Sequence, residues 1–153
     1  MTTNVNQKFA RFGFLIVLIL AAVGCSPEVP PLGTVTGVVS KKGKPLPGVE
    51  ITFSPRPSEN GPVPKSSRAI TDDAGRYSLT FLAADGKTRA EGAALGEHVV
   101  CFSDYLCIES REKPIPYRFS VDLAKTGLTP FTATVVEGEQ EFDFDLTKYP
   151  LKR

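Results

Sequence analysis

Apolar and polar residues alternate at every second position in a series of short segments from Thr34 onwards, and that period of two constrains the fold more than any other feature. A strand directs successive side chains to opposite faces, whereas an amphipathic helix repeats every 3.6 residues. No window of the sequence shows a convincing helical stripe. Seven short segments follow the alternation: TVTGVVSK (34–41), VEITFSP (49–55), RAIT (68–71), RYSLTF (76–81), GEHVVCFSD (96–104), TATVVE (132–137) and EFDFDL (141–146).

The residues between these segments favour tight turns. The chain has 13 Gly and 13 Pro, which suits short strands joined by turns better than it suits helices. Asp72 to Gly75 predicts a hairpin, and Gly138 to Gln140 predicts a second one that closes the domain. The sequence therefore predicts an all-β domain over residues 34–148, a seven-stranded antiparallel β-sandwich. Eleven residues are predicted to fill its core: Val49, Ile51, Phe53, Tyr77, Leu79, Phe81, Val100, Phe102, Phe142, Phe144 and Leu146.

The N-terminal segment has the pattern of an export signal. Lys8 and Arg11 precede an unbroken run of small and apolar residues over 12–23. Twelve helical residues reach about 18 Å, short of the roughly 30 Å hydrocarbon core of a bilayer. A basic start, a short apolar stretch and small residues before a cut are typical of a secretory signal peptide. Residues 1–24 are therefore predicted to be removed.

Ala22-Val23-Gly24-Cys25 resembles the lipobox of bacterial lipoproteins. The resemblance implies that Cys25 is lipidated and becomes the first mature residue, anchoring the protein to a membrane. Ser26 implies the outer membrane, facing the periplasm or the cell surface. The alternative is ordinary secretory cleavage with an unmodified Cys25. Three prolines in the segment 25–33 favour an extended polyproline tether between lipid and domain.

The domain itself resembles a known family. TGVVSKKGKPLPGVEITFSP (36–55) is similar to the opening of carboxypeptidase regulatory-like domains, and AITDDAGRYSL (69–79) resembles their T-D-x-x-G-x-Y-x-L hairpin. GEHVVCF (96–102) stands where that family has G-x-Y-x-V. IPYRF (115–119) and TPFTATVVEGEQEFDFDL (129–146) resemble the tail of small bacterial lipoproteins with one such domain. The resemblance implies a transthyretin-like, or prealbumin-like, sandwich without enzymatic activity.

The residue types give little support to catalysis, metal binding or nucleic-acid binding. His98 is the only histidine, and its alternation with Val100 and Phe102 predicts that it is packed in the core. Same-face carboxylates on one strand lie about 6.6–7 Å apart, too far to hold one calcium ion without other ligands. With 18 basic and 17 acidic residues, the chain has no strong field for nucleic acid. We therefore predict no enzyme activity, no cofactor and no metal.

Two further features remain open. Cys101 and Cys107 either form a disulfide, which an exported compartment permits, or stay as free thiols. The long segment 104–130 has aromatic and basic residues that either bind a peptide or glycan or cover an open end of the sandwich. The residues of this predicted surface are Tyr105, Tyr117, Arg118 and Phe119.

Two function classes fit this sequence. The first is a lipid-anchored envelope protein whose non-catalytic sandwich acts as a structural or adhesive module. The alternative is an accessory binding protein for peptide or carbohydrate ligands in an envelope complex. The expected partners are the membrane, through the lipid on Cys25, and an envelope protein or glycan.

Overall fold

A computed structural model of the chain describes residues 29–57, 63–109 and 115–150. It confirms the predicted all-β sandwich. The elements are β1 (Leu32–Lys41), β2 (Lys44–Pro45), β3 (Val49–Pro55), β4 (Ser67–Ile70), β5 (Arg76–Ser78), β6 (Thr80–Leu82), β7 (Arg89–Glu91), β8 (Ala93–Ala94), β9 (Gly96–Asp104), α1 (Tyr105–Glu109), the 3₁₀ helix η1 (Val121–Ala124), β10 (Thr132–Val135), β11 (Glu139–Glu141) and β12 (Phe144–Asp145).

The first sheet is built around β1, which has partners along both edges. On one edge it pairs antiparallel with β2, β5 and β8. On the other edge it pairs in parallel with β11 and β12, where Thr34 lies opposite Glu139 and Val39 opposite Phe144. The predicted sandwich is therefore antiparallel except where its last strand joins its first.

The second sheet has the order β10-β9-β3-β4-β6-β7, and every pairing in it is antiparallel. The longest register runs between β3 and β9, from Val49 opposite Asp104 to Pro55 opposite His98. This pairing places the inward residues of two alternating segments side by side. The two sheets then enclose one core between them.

Ten of the eleven predicted core residues are buried, whereas Phe142 is only partly buried at the margin of the core. The core also contains residues that the prediction left out, among them Val35, Val39, Phe119, Leu123 and Val135. Phe53 is fully buried, and its ring centroid lies 6.1 Å from that of Phe142 and 6.3 Å from that of Phe144. Burying large apolar side chains contributes about 1.5–3 kcal/mol each. Such a core provides enough stabilisation for a single domain.

The predicted closing hairpin is wrong. β10 belongs to the second sheet, whereas β11 and β12 belong to the first, so the chain crosses between sheets at residues 136–138. The Gln140 side chain secures this crossing, because its amide nitrogen donates to the Val136 carbonyl at 2.6 Å and its oxygen accepts from the Val136 N–H at 3.3 Å. Alternation specifies the face of each residue but not its partner strand, so it could not distinguish a crossing from a hairpin.

Other segments also depart from their predicted local structure. The Asp72–Gly75 turn forms, with the Gly75 N–H donating to the Asp72 carbonyl at 2.8 Å. The strand that follows divides between the sheets, because β5 pairs with β1 and β6 pairs with β4. Residues 87–95, which lie between two of the predicted strands, contain β7 and β8. β1 begins at Leu32, within the range predicted as tether, because Leu32 pairs with Ala94.

The sandwich has two opposite ends, which the strands define. At the Pro31 end the chain enters β1, and the Leu95 N–H donates to the Pro31 carbonyl. At the Arg118 end β1 and β9 finish and β3 begins. A ten-residue strand at about 3.3 Å per residue separates these ends by roughly 30 Å. Within the described ranges, no helix is long and apolar enough to cross a bilayer. The predicted signal peptide and Cys25 lie outside those ranges.

Candidate functional site

The predicted binding residues lie together at the Arg118 end, but their side chains differ in exposure. Tyr105 begins α1 directly after β9 and is half-buried, and the other three follow on the returning segment. Tyr117 is 44% exposed. Phe119 is 1% exposed and packs in the core, so it cannot form part of a surface. The aromatic surface in the described part of the chain is therefore smaller than the sequence suggests.

Arg118 is held by a buried carboxylate that sequence reasoning did not identify. The side chain of Asp104 is completely buried, and its Oδ1 accepts a hydrogen bond of 2.6 Å from a terminal nitrogen of Arg118. The Arg118 Nε lies 3.1 Å from both carboxylate oxygens, and the backbone N–H of Arg118 donates to Oδ2 at 2.9 Å. Charge-assisted bonds of this fork geometry are the strongest that side chains make.

This ion pair determines the charge state of the carboxyl group. Burial alone would raise the pKa of Asp104, but the hydrogen bonds and positive charge of Arg118 outweigh burial, so the pKa lies below its usual value. The pair stays ionised at neutral pH. It fastens the returning segment to the end of β9.

A signal for Asp104 does exist in the sequence. In GEHVVCFSD the inward positions are His98, Val100 and Phe102, and Asp104 continues the same phase. An inward carboxylate at the end of a strand requires a cationic partner, because an unpaired buried charge is strongly unfavourable. The sequence offers several cations, however, and does not specify Arg118.

Lys41 and Gly48 also contact Arg118 at this end of the sandwich. The Lys41 ammonium group donates a hydrogen bond to the Arg118 carbonyl. The guanidinium also reaches the Gly48 carbonyl at 3.4 Å, and a side chain at Gly48 would overlap with Leu106. These contacts connect the turn before β3, the start of α1 and the returning segment. Asp104, Arg118 and Lys41 are linked by these hydrogen bonds, and we call this arrangement the Arg118 clamp.

The two cysteines are free thiols in the structure. Cys101 is buried, and burial raises its pKa. Cys107 Sγ lies 3.4 Å from the Pro116 carbonyl, and burial together with the nearby Asp104 raises its pKa as well. A nucleophilic cysteine needs a lowered pKa, so neither thiol has the environment of a catalytic group. The disulfide stays a prediction that mass analysis after alkylation would test.

His98 is packed in the core. Its side chain is fully buried, its Nε2 lies 2.7 Å from the Ala94 carbonyl, and its ring centroid lies 5.7 Å from that of Phe53. Burial lowers the pKa of His98, and hydrogen bonds with the backbone of Ala94 and Phe53 offset this effect only in part. Because this is the only imidazole of the chain, a hydrolytic triad that depends on histidine has no accessible base.

The buried imidazole predicts a pH dependence of stability. Folded His98 takes up a proton only at a lower pH than the unfolded imidazole, whose ordinary pKa is 6.5. The unfolded state then binds more protons, so the free energy of unfolding falls as the pH drops through 6.5. The free energy of unfolding is expected to fall by up to about 1.4 kcal/mol per pH unit. Urea denaturation at pH 7, 6 and 5 would measure it, and His98→Gln should flatten the slope. Equal slopes in both proteins would contradict the prediction.

Two acidic side chains that are candidates for metal ligands instead accept hydrogen bonds from backbone N–H groups. Asp72 accepts from the backbone N–H groups of Ala74 and Arg76, each at 2.9 Å. Asp143 accepts from the Val38 N–H at 2.8 Å. In the described part of the chain, no group of three or more potential ligands lies close enough to hold a metal ion.

Comparison with known proteins adds a distant structural likeness. No family model matches the chain, and no curated protein matches it. A solved structure of a DUF3823 family protein from Parabacteroides merdae is similar, with 14% sequence identity and a TM-score of 0.41. The likeness covers 78% of this chain and 47% of that one, so the chain spans about half the length of its neighbour. The fold assignment rests on the strand pairing described above.

Proposed function

We propose that this protein is a lipid-anchored component of the cell envelope, and that its carboxypeptidase regulatory-like sandwich acts as a non-catalytic structural or adhesive module. The observation that supports it most is the position of the chain entry. The chain enters the domain at Pro31, which lies roughly 30 Å from the Arg118 end. An anchor at Cys25 would therefore hold one end towards the membrane and present the other end outwards.

The chemistry of the domain supports a non-catalytic role. The only imidazole is fully buried, and both described thiols have raised pKa values. The buried Asp104 is committed to Arg118 by several hydrogen bonds. The buried imidazole and the paired carboxylate are therefore not accessible to a substrate.

Lipidation of Cys25 is tested by labelling cells that express the full chain with palmitate. We expect label on the wild-type protein and none on Cys25→Ser, because the acyl chains require that sulfur. Cys101→Ser and Cys107→Ser are the matched controls and should keep the label. Incorporation that is equal in Cys25→Ser and the wild type would contradict the anchor, as would a wild type that takes up no label.

A second candidate function is that of an accessory binding protein. It is favoured by three apolar side chains at or beside the Arg118 clamp, since Leu106, Ile115 and Tyr117 are 41%, 43% and 44% exposed. Exposed apolar and aromatic side chains that lie close together are typical of contact surfaces. Titration of peptides and glycans, with Tyr117 as the reporter, would distinguish this function from a purely structural one.

A further inference from the structure

The two outer strands of the second sheet differ in how they are protected against pairing with another chain. Native proteins usually protect an edge with charged residues, prolines, bulges or very short strands. β7 has the charged residues Arg89 and Glu91, both exposed. β10 is Thr-Ala-Thr-Val, without charge or proline, and it continues into Val136, which is 56% exposed. β10 therefore lacks the charged side chains that protect β7.

The hydrogen-bond register shows which backbone groups of β10 point outwards. The Val100 N–H donates to the Phe131 carbonyl, and Thr132 lies opposite Val99. Bonded and non-bonded pairs alternate along an antiparallel ladder, so Ala133 and Val135 bond to β9. The N–H and C=O groups of Thr132 and Thr134 therefore face away from the sheet. They form two adjacent, regularly spaced sites for a further strand.

Both ends of this free edge are bounded. The Val136 N–H and carbonyl are bonded to the Gln140 amide and cannot pair outwards. At the other end, Pro130 has no N–H to offer. The free edge therefore admits a short strand centred on Ala133.

The outer edge of the first sheet, which β11 and β12 form, differs from β10 in its charge. Its strands, β11 and β12, are interrupted at residues 142–143 and are rich in acidic residues. Like charges would repel a second copy that approached this edge. The four acidic residues along it are Glu139, Glu141, Asp143 and Asp145.

We propose that β10 pairs with β10 of a second copy of this chain, antiparallel and about a two-fold axis through Ala133. Thr132 then faces Thr134 of the other copy, and the reciprocal pair follows from symmetry. Each such pair exchanges two backbone hydrogen bonds, so the interface gains four. Threonines opposite each other on one face of a sheet are a favourable cross-strand pair.

The surroundings of β10 are compatible with self-pairing. Ala133 is the smallest chiral side chain and lies at the centre, where the two backbones approach most closely. A groove beside the strand contains Arg56 and Glu97, which pair with each other at 4.0 Å. This flank therefore has no net charge that would repel its symmetry mate. The pairing needs only β10, so the proposal is independent of lipid anchoring.

The test uses Thr134→Pro, which removes the outward N–H without breaking a bond to β9. Because the two-fold axis uses this N–H twice, one substitution removes two of the four hydrogen bonds. Sedimentation of the full chain in detergent micelles should show a reversible monomer–dimer equilibrium. We expect the dimer Kd of Thr134→Pro to be weaker by roughly tenfold or more.

The matched control is Arg89→Pro, which removes an outward N–H from the other edge of the same sheet and should leave the dimer Kd unchanged. Circular dichroism of each variant checks that it folds. Hydrogen exchange gives a second readout on the wild type, since the Thr132 and Thr134 amides should exchange more slowly as protein concentration rises. A chain that stays monomeric at millimolar concentration, or equal weakening by both prolines, would overturn the proposal.

Discussion

Replacing Arg118 with methionine is expected to lower the free energy of unfolding by about 3–5 kcal/mol. The cost arises because Asp104, whose side chain is completely buried, would lose the charge that its pKa and its hydrogen bonds depend on. Removing one partner of a buried ion pair leaves the other charge uncompensated. Chemical denaturation at pH 7 measures the loss directly.

A second substitution separates the ion pair from packing. Asp104→Asn with Arg118→Met removes both charges, so this double variant should recover part of the stability lost by Arg118→Met alone. Arg76→Met breaks an exposed ion pair with Asp72 and should have little effect. If Arg118→Met were no more destabilising than Arg76→Met, the Arg118 clamp would not be the anchor that the geometry indicates.

The substitution Gly37→Ala is the other change expected to have a large effect. A Cβ at this position would lie 2.0 Å from the Phe142 carbonyl oxygen and 2.7 Å from its carbon. The same carbonyl accepts a 2.7 Å hydrogen bond from the Tyr77 hydroxyl, so moving it disturbs a second contact. We expect a loss at or above the upper end of the about 1–3 kcal/mol usual for overpacking.

Gly127→Ala is the matched control, because a Cβ there would meet nothing within 4 Å. Thermal unfolding of both variants gives the comparison. A small shift for Gly37→Ala, similar to that of Gly127→Ala, would mean that β1 and the segment between β11 and β12 can separate at little cost. The close parallel pairing in the first sheet would then be less rigid than its geometry indicates.

The alternation of side chains was sufficient to predict the fold class and part of the core. Phe53 and Phe102 are buried because they occupy the inward phase of β3 and β9. The partner of each strand could not be predicted in this way. Whether Glu139 pairs with β10 or with β1 depends on which edge is open, and that depends on the whole arrangement of the sheets. A pattern of period two is the same in both cases.

The candidate site was predicted less well, and the reason is physical. Tyr117, Arg118 and Phe119 are neighbours in an irregular segment, where no period determines the direction of a side chain. The structure directs Phe119 into the core, holds Arg118 on Asp104 and leaves Tyr117 exposed. Only the phase of Asp104 within β9 was available as a signal, and it indicates a buried carboxylate without naming its partner.

The parallel pairing of the first strand with the last also governs when the molecule can form during synthesis. Val38 and Asp143, which are joined by a hydrogen bond, are 105 residues apart along the chain. Contacts between distant residues slow folding, because a long loop must close before they contribute. A nascent chain cannot complete the first sheet until residues 139–145 have left the ribosome. Until those residues emerge, β1 has no partner along its parallel edge, and the sandwich stays incomplete.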